Sequence, residues 1–366
     1  MFVTILVFVL ILSVLVLVHE FGHFITAKKL GIKVEEFGIG FPPRVFGKKI
    51  GETVYSVNLL PIGGFVKLYG EDNAGGGSIK KTTAAVQADL ERAFFARPLW
   101  QRMLVVTAGV VMNFILAVVI ISYLFASQGV SVPTENVVVT DVLKNSPAAL
   151  AGLQKDDRIL SINGIKLTET EVFIRVAQSN KGKEVVLQVD RAGEVSSVTV
   201  VPRINYPKGE GPIGVGISNI EIKKYTWYEA PFYGTVEALK FTWLILQGLG
   251  TMVGDLVFRG IKPEGVAGPI GVAQLTGQAV SVGFAAVLWF TALLSLNLAV
   301  LNILPIPALD GGRFFFMVIE LVTRRKVSQR YESLAHAVGL VMLLSLMVVI
   351  TLLDISRVVQ GKSILP

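Results

Sequence analysis

The sequence predicts an α-helical polytopic membrane protein, with four transmembrane helices, a membrane-associated β-hairpin region and one soluble extracytoplasmic domain inserted between spans. Three observations lead there. Of 366 residues, 52% are hydrophobic and only 17% charged, with a mean hydropathy of +0.63, whereas soluble domains carry about 25% charged residues. Four apolar runs are long enough to cross a hydrocarbon layer of ~30 Å at a helical rise of ~1.5 Å per residue. Between two of them lies a long stretch that is β-branched, turn-rich and balanced in charge. An ordinary cytosolic protein is therefore excluded. Cysteine is absent, which excludes disulfides, thiolate catalysis and sulfur-ligated metals, so any metal is held by nitrogen and oxygen.

Taken in order, residues 1–18 are almost purely apolar, interrupted by Thr4 and Ser13. No basic residue precedes the run and no small-residue cleavage site follows it, so a retained helix is expected over residues 1–27 rather than a signal peptide. Residues 28–99 form a cytoplasmic, membrane-associated β-region. In residues 54–59, Val54, Ser56 and Asn58 alternate with Tyr55, Val57 and Leu59, and Pro61-Ile62-Gly63-Gly64 is expected to turn the chain into Phe65-Val66-Lys67-Leu68. Gly75-Gly76-Gly77 reads as a loop. The second span occupies residues 100–126, the third 284–312 and the fourth 335–354, with a cytoplasmic loop over 313–334. Residues 131–222 form the inserted domain: strand-like runs at 136–140, 183–189 and 196–201 are separated by turns at Gly152, Asn163-Gly164 and Ala192-Gly193. Residues 223–283 are expected to be membrane-associated linker helices. Within them, residues 241–258 are apolar but diluted by Gly248, Gly250, Gly254 and Asp255.

Charge gives the orientation. The net charge is +7, and residues 28–102 hold 12 basic and 7 acidic residues, 311–334 hold 5 and 2, and 131–225 hold 12 and 11. Lys28, Lys29, Arg97, Arg102, Arg313, Arg324, Arg325 and Lys326 flank the spans on one side, which the positive-inside rule places in the cytoplasm. The basic balance thus belongs to the lipid bilayer, and no basic block with interleaved aromatics points to nucleic acid.

The chemistry lies in His19-Glu20-Phe21-Gly22-His23. Residues four apart on a helix share a face, so both imidazoles can hold one Zn²⁺, with Glu20 beside them as a general base toward water. Three ionisable residues after an apolar run are costly near lipid unless they serve a site. The alternative is an interfacial cluster that caps a transmembrane helix, but it does not account for two of the chain's three histidines standing at i and i+4. His336 reads as an interfacial or packing histidine. Hydrolytic zinc sites take three protein ligands, and without cysteine the third should be a carboxylate. Asp310 is the candidate, behind a helix broken by Pro305 and Pro307 and before Gly311-Gly312. A plain aspartate in an exit turn is the alternative there.

HEFGH on the first span, together with Asn302-Ile303-Leu304-Pro305-Ile306-Pro307-Ala308-Leu309-Asp310-Gly311-Gly312 on the third, resembles the site-2 protease family of intramembrane zinc metalloproteases, most closely its bacterial RseP type. Residues 38–43 and 60–71 resemble its membrane-associated β-region. Residues 95–113, with Pro98, Arg102, Gly109 and Asn113, resemble its second span and approach, and Gly268-Pro269-Ile270 the segment before its third. Val110 stands where many relatives carry proline. The resemblance implies that His19, His23 and Asp310 are zinc ligands, that Glu20 is the catalytic base, and that Asn302, Pro305 and Pro307 handle substrate. It implies an intramembrane protease of the bacterial cytoplasmic (inner) membrane, with its active site near the cytoplasmic side. Its substrates would be single-span membrane proteins such as anti-sigma factors, or remnant signal peptides.

Residues 148–164 resemble the core signature of a bacterial PDZ domain, and the region has room for one such domain, which implies a peptide or protein ligand bound by strand addition. The alternative is a stabilising domain without a peptide ligand. A helix satisfies its own backbone hydrogen bonds, which makes its peptide bonds poor targets, so a hairpin edge within residues 52–69 is expected to take the unwound substrate as an added strand, with Asn58 or Asn302 orienting its backbone. Two other functions fit the sequence less well. A non-proteolytic membrane PDZ scaffold with a structural metal would normally need four protein ligands, and three are identifiable. A metal-ion transporter needs ionisable residues in several spans, and the apolar runs at residues 103–125 and 335–353 hold no acidic residue. Finally, His19–His23 and Asp310 can share one ion only if both lie near the same membrane face, so residues 241–258 are expected to lie in or along the membrane without crossing it, although two crossings within residues 229–283 would also preserve parity.

Overall fold

The computed structural model describes residues 2–71, 90–207, 209–260 and 267–360. The expected loop at Gly75-Gly76-Gly77 lies outside them. In chain order the elements are α1 (Phe2–Lys29), β1 (Val34–Ile50), β2 (Thr53–Leu68), α2 (Leu99–Ser127), β3 (Val130–Val142), α3 (Pro147–Leu150), β4 (Arg158–Ile162), β5 (Ile165–Lys166), α4 (Thr170–Ser179), β6 (Val185–Arg191), β7 (Glu194–Val200), β8 (Val215–Lys223), α5 (Ala230–Gly254), α6 (Pro269–Val282), α7 (Phe284–Ile303), α8 (Asp310–Thr323) and α9 (Gln329–Val359). They fall into two units, Met1–Leu124 with Trp227–Pro366, and Phe125–Thr226.

In the first unit, α1, α2, α7 and most of α9 are the four helices, among the described residues, long and apolar enough to cross a membrane. This is a membrane protein. The first helix does not stop where its apolar run stops: it continues to Lys29, so the HEFGH segment is helical throughout, and Lys28 and Lys29 sit in its last turn, where cations favour the helix dipole. Small residues let the helices close on one another. A Cβ at Gly22 would stand 2.4 Å from the Ala108 carbonyl oxygen, so α1 and α2 meet backbone against side. α5 has 25 residues but is not among the four, and it rests on α7 through Phe241 and Trp289, whose rings meet edge-on at 6.0 Å. A single π-helical turn, Asp255–Arg259, follows it and ends at Gly260.

The β-region differs from the expectation. The reversal between β1 and β2 is at Gly51 and Glu52, not at residues 61–64, which lie inside β2. Residues 36–39 of β1 are flanked by β2 on both sides, pairing with residues 64–67 and also with 54–57. The bend in β2 that permits this is at Gly63, with φ +76°. It lays the strand on α1, where Ser13 Oγ donates to the Pro61 carbonyl at 2.9 Å and Gly64 packs on Leu17. Below it, Ala27, Ile32, Val34, Leu68, Phe94, Val105, Val106 and Met317 form one buried cluster that ties the strands to α1, α2 and α8. Arg92 pairs with Glu52 through two contacts of 2.7 and 2.8 Å, and this, with Lys28, holds the Glu52 carboxyl below its ordinary range.

The second unit is a mixed α/β fold around a sheet ordered β7-β6-β4-β3-β8, with β5 paired to β4. Its core follows from period-two alternation: Val185, Leu187 and Val189 of β6 point in, and their neighbours point out. They pack with Val137, Val139, Ile159, Ile162, Phe173 and Ala177 from the adjoining strands and α4. The two-residue turns stand where the sequence puts them, with Asn163 and Gly164 at φ +51° and +79° and Ala192 and Gly193 at +53° and +93°. A cavity of about 400 Å³ lies along α4 and β8, lined by Phe173, Ile174, Ala177, Ile213, Val215 and Ile217, among others.

Candidate metal centre

The four-residue spacing on α1 does what helical geometry requires. His19 and His23 are both buried, their rings meet edge-on with centroids 4.8 Å apart, and their Nε2 atoms are 3.2 Å apart. Asp310 completes the group from the first residue of α8, its Oδ2 standing 2.9 Å from His19 Nε2 and 3.2 Å from His23 Nε2. Two glycines after it make this approach possible. A Cβ at Gly311 would fall 2.0 Å from the Leu304 carbonyl oxygen and one at Gly312 2.5 Å from that of Ile306, so the helix begins tight against the Pro-x-Pro turn. Ala308, in that turn, takes φ +79°, a strained value for a residue with a Cβ. Its N–H donates to His336 Nδ1 at 2.8 Å.

Whether these residues fit a metal can be read from their atoms. His23 Nδ1 is 2.8 Å from the Val105 carbonyl, which only accepts, so Nδ1 carries the proton and the Nε2 lone pair of the neutral ring faces the group. Asp310 Oδ2 is buried and receives no hydrogen bond despite its two nitrogen neighbours. The Nε2 lone pair of His23 and the Asp310 carboxylate, with His19 Nε2 converging on them, make a nitrogen and oxygen donor set that suits a cation. Their separations of 2.9–3.2 Å are near the edge of a tetrahedron with Zn–N and Zn–O bonds of ~2.0–2.1 Å, about 3.3–3.4 Å. Among the described residues these three form the one group of His, Cys, Asp or Glu that could hold a metal ion.

A cavity of about 450 Å³ opens beside the triad, lined by Glu20, His23, Phe65, Val66, Asp310, Arg313 and His336 among others. Glu20 Oε2 accepts the Val66 N–H at 3.0 Å, so the carboxylate beside the triad is held by the β2 edge. Arg313 pairs with Glu71 in the same cavity wall.

The remaining sequence candidates divide. Asn302 is brought to the triad, its Nδ2 3.5 Å from His19 Nε2. Pro305 and Pro307 shape the turn ahead of Asp310, and Pro307 carries the carbonyl against which Gly339 of α9 packs, a Cβ there falling 2.4 Å away. Asn58 does something else: its buried amide donates to the carbonyls of Ile39 and Gly40 at 3.3 and 3.1 Å, bracing the curled strands. His336 is not merely interfacial, since it lines the cavity and holds the Ala308 N–H. The Val105 carbonyl and the Val66 N–H were missed because backbone groups leave no mark in a sequence. Gly109, four residues after Val105 and four before Asn113, was the available signal: a Cβ there would stand 2.5 Å from His23 Nε2 and 2.7 Å from His19 Cε1.

A membrane protein with two histidines and an aspartate converging beside a glutamate has the make-up of a metal-dependent hydrolase. The sequence matches the model of Peptidase family M50 over residues 7–346, and the chain belongs to that family. A Clostridium perfringens protein assigned by name to the zinc metalloproteases is 39% identical over 344 residues, covering 94% of this chain and 96% of that protein. The Bacillus subtilis regulator of sigma-W protease RasP is 31% identical, covering 97% and 98%, and the Geobacillus kaustophilus zinc metalloprotease RasP is 30% identical over the same shares. Among solved structures, the PDZ domain of an SdrC-like protein from Listeria monocytogenes matches with 25% identity and a TM-score of 0.22, covering 25% of this chain and 95% of that one.

Proposed function

We propose that the chain is a zinc-dependent endopeptidase that hydrolyses peptide bonds within transmembrane segments of other membrane proteins. The observation that carries this reading is the convergence of His19 Nε2, His23 Nε2 and Asp310 Oδ2 on one buried point beside a cavity that also holds Glu20. These three residues would hold the zinc, and three protein ligands are the number that catalytic rather than structural zinc sites use. Zinc, when bound, supplies Lewis acidity that makes water a better nucleophile and a carbonyl a better electrophile at neutral pH. Glu20 takes the proton from the attacking water and returns it to the leaving amine.

The substrate must first give up its helix, because a helical peptide bond is shielded by its own hydrogen bonds. The β2 edge supplies the replacement. The Val66 N–H points outward from the sheet to Glu20, so a substrate strand laid along residues 64–68 runs past the base. Asn302, adjacent to His19, orients the substrate backbone, and Pro305 and Pro307 hold the turn that presents Asp310. The second unit is a PDZ domain, and the cavity along α4 and β8 takes a peptide or protein ligand. The enzyme sits in a bacterial cytoplasmic membrane, with the catalytic centre toward the cytoplasm and the PDZ domain outside. Because the Bacillus subtilis relative is named for regulating sigma-W, membrane-bound anti-sigma factors are the leading substrate class, with remnant signal peptides beside them.

Glu20→Gln tests the reading. It should retain zinc and lower cleavage by about 10²–10⁴-fold, and membrane proteomics should find single-span fragments accumulating against wild type. A variant that cleaves normally sinks the protease reading.

A further inference from the structure

We propose that Asn113 is a positioning residue for the zinc centre: its side-chain oxygen accepts the Nδ1 proton of His19 and so keeps the Nε2 lone pair turned toward the metal. The proposal rests on the zinc reading given above.

Asn113 lies on α2, fully buried, with the atom placed as Nδ2 3.3 Å from His19 Nδ1 and the atom placed as Oδ1 without a partner. Which atom is which follows from chemistry, because the two ends of an amide have the same shape and exchange by a half-turn. If nitrogen faced His19, it would donate to Nδ1 and the proton of the neutral ring would sit on Nε2. That is the atom 2.9 Å from Asp310 Oδ2 and 3.2 Å from His23 Nε2, and it could not then ligate. With oxygen facing His19 the proton sits on Nδ1 and Nε2 is free. His23 already has this arrangement with the Val105 carbonyl.

One helix face therefore serves both imidazoles. Val105, Gly109 and Asn113 recur every four residues along α2: the outer two accept one proton from each ring, and Gly109, lacking a Cβ, leaves the rings room to lie against the helix. Asn113 is held in turn, since Ser295 Oγ of α7, also fully buried, donates to its backbone carbonyl at 2.7 Å. A buried acceptor on the outer nitrogen of a ligating histidine orients the ring and raises its basicity, and removing such a partner typically costs 10–100-fold in metal affinity.

The test uses the full-length protein in detergent, titrated with a zinc chelator, with bound zinc measured by atomic emission. Asn113→Leu, which has no acceptor, should release zinc at roughly 10–100-fold lower chelator concentration than wild type, while excess zinc restores cleavage and the melting temperature of the metal-free protein stays put. Asn113→Asp, which has only acceptors, should hold zinc as wild type does. Zinc loss from the Asp variant overturns the proposal, as does wild-type affinity in the Leu variant. Should the Leu variant not fold, the Asp variant decides alone. The zinc reading fails separately, and only if wild type itself binds no zinc or His19→Ala binds it as tightly.

Discussion

At the scale of single residues, the centre is organised by what its atoms lack. Gly109 has no Cβ, and two imidazoles occupy the space one would fill. Gly109→Ala should therefore displace the rings and reduce zinc content by at least about tenfold, measured on purified protein by atomic emission; a variant with full zinc content would refute the packing argument. In the second unit the controlling residue is Asp157, almost fully buried. Burial alone would raise its carboxyl, but two hydrogen bonds from Arg191, both at 2.7 Å, and the Gln154 N–H at 2.8 Å outweigh it and hold the group below its ordinary value. The folded state thus binds fewer protons than the unfolded one. The stabilisation is complete above the unfolded pKa, about 3.9, and drains away as the pH falls below it toward the lower folded value. Amide-exchange protection in β4 and β6 should decline over that window, and Asp157→Asn should lower protection at pH 7 and flatten the acid dependence. An unchanged acid dependence in the variant would place the effect elsewhere.

At the scale of elements, the β2 edge links scaffold to chemistry, since the same N–H that ends the sheet holds the base. Val66→Pro removes that donor. Cleavage should fall by about tenfold or more while zinc content stays at wild-type level, because no metal ligand belongs to β2; equal cleavage by the two proteins would remove the edge from the mechanism. The sequence made some of these elements plain and hid others. Apolar runs revealed the four long apolar helices, because lipid demands continuous hydrophobicity, and the alternation of Val185, Leu187 and Val189 revealed a strand facing a core. The end of α1 was legible to within two residues, because histidines at i and i+4 share a face only on a helix that runs on past the apolar residues: residues 1–27 were expected and α1 ends at Lys29. The reversal of the hairpin was misplaced: Pro61, Gly63 and Gly64 carry turn chemistry, yet they bend a strand that pairs on both sides of β1. That pairing is non-local, and residues 36–39 give no local sign of having two partners. Asn58 and Asn302 looked alike as polar residues in apolar surroundings, and only packing separates the brace of a sheet from a neighbour of His19.

At the scale of the whole chain, the meeting of His19, His23 and Asp310 restricts how the chain can thread the membrane. α1 carries the histidines toward its C-terminal end, and Asp310 follows the C-terminal end of α7. For α1 and α7 to run in the same direction with α2 between them, the residues joining α2 to α7 must return the chain to the side from which α1 began. α5 and α6 together then cross an even number of times, whatever the length of α5. The charge distribution fits this threading, which would put the basic residues at the end of α1, at the start of α2 and in the loop before α9 on one side. Topology reporters fused after residues 225, 262 and 283 together separate the two even cases from the odd ones. If α5 lies along the spans without crossing, the first two report the outer side. If α5 crosses, the second reports the cytoplasm, and α6 must then bring the chain back, which the third would find outside. A cytoplasmic report at residue 283 would put Asp310 and the HEFGH pair on opposite faces, and the single shared metal centre would be lost with it.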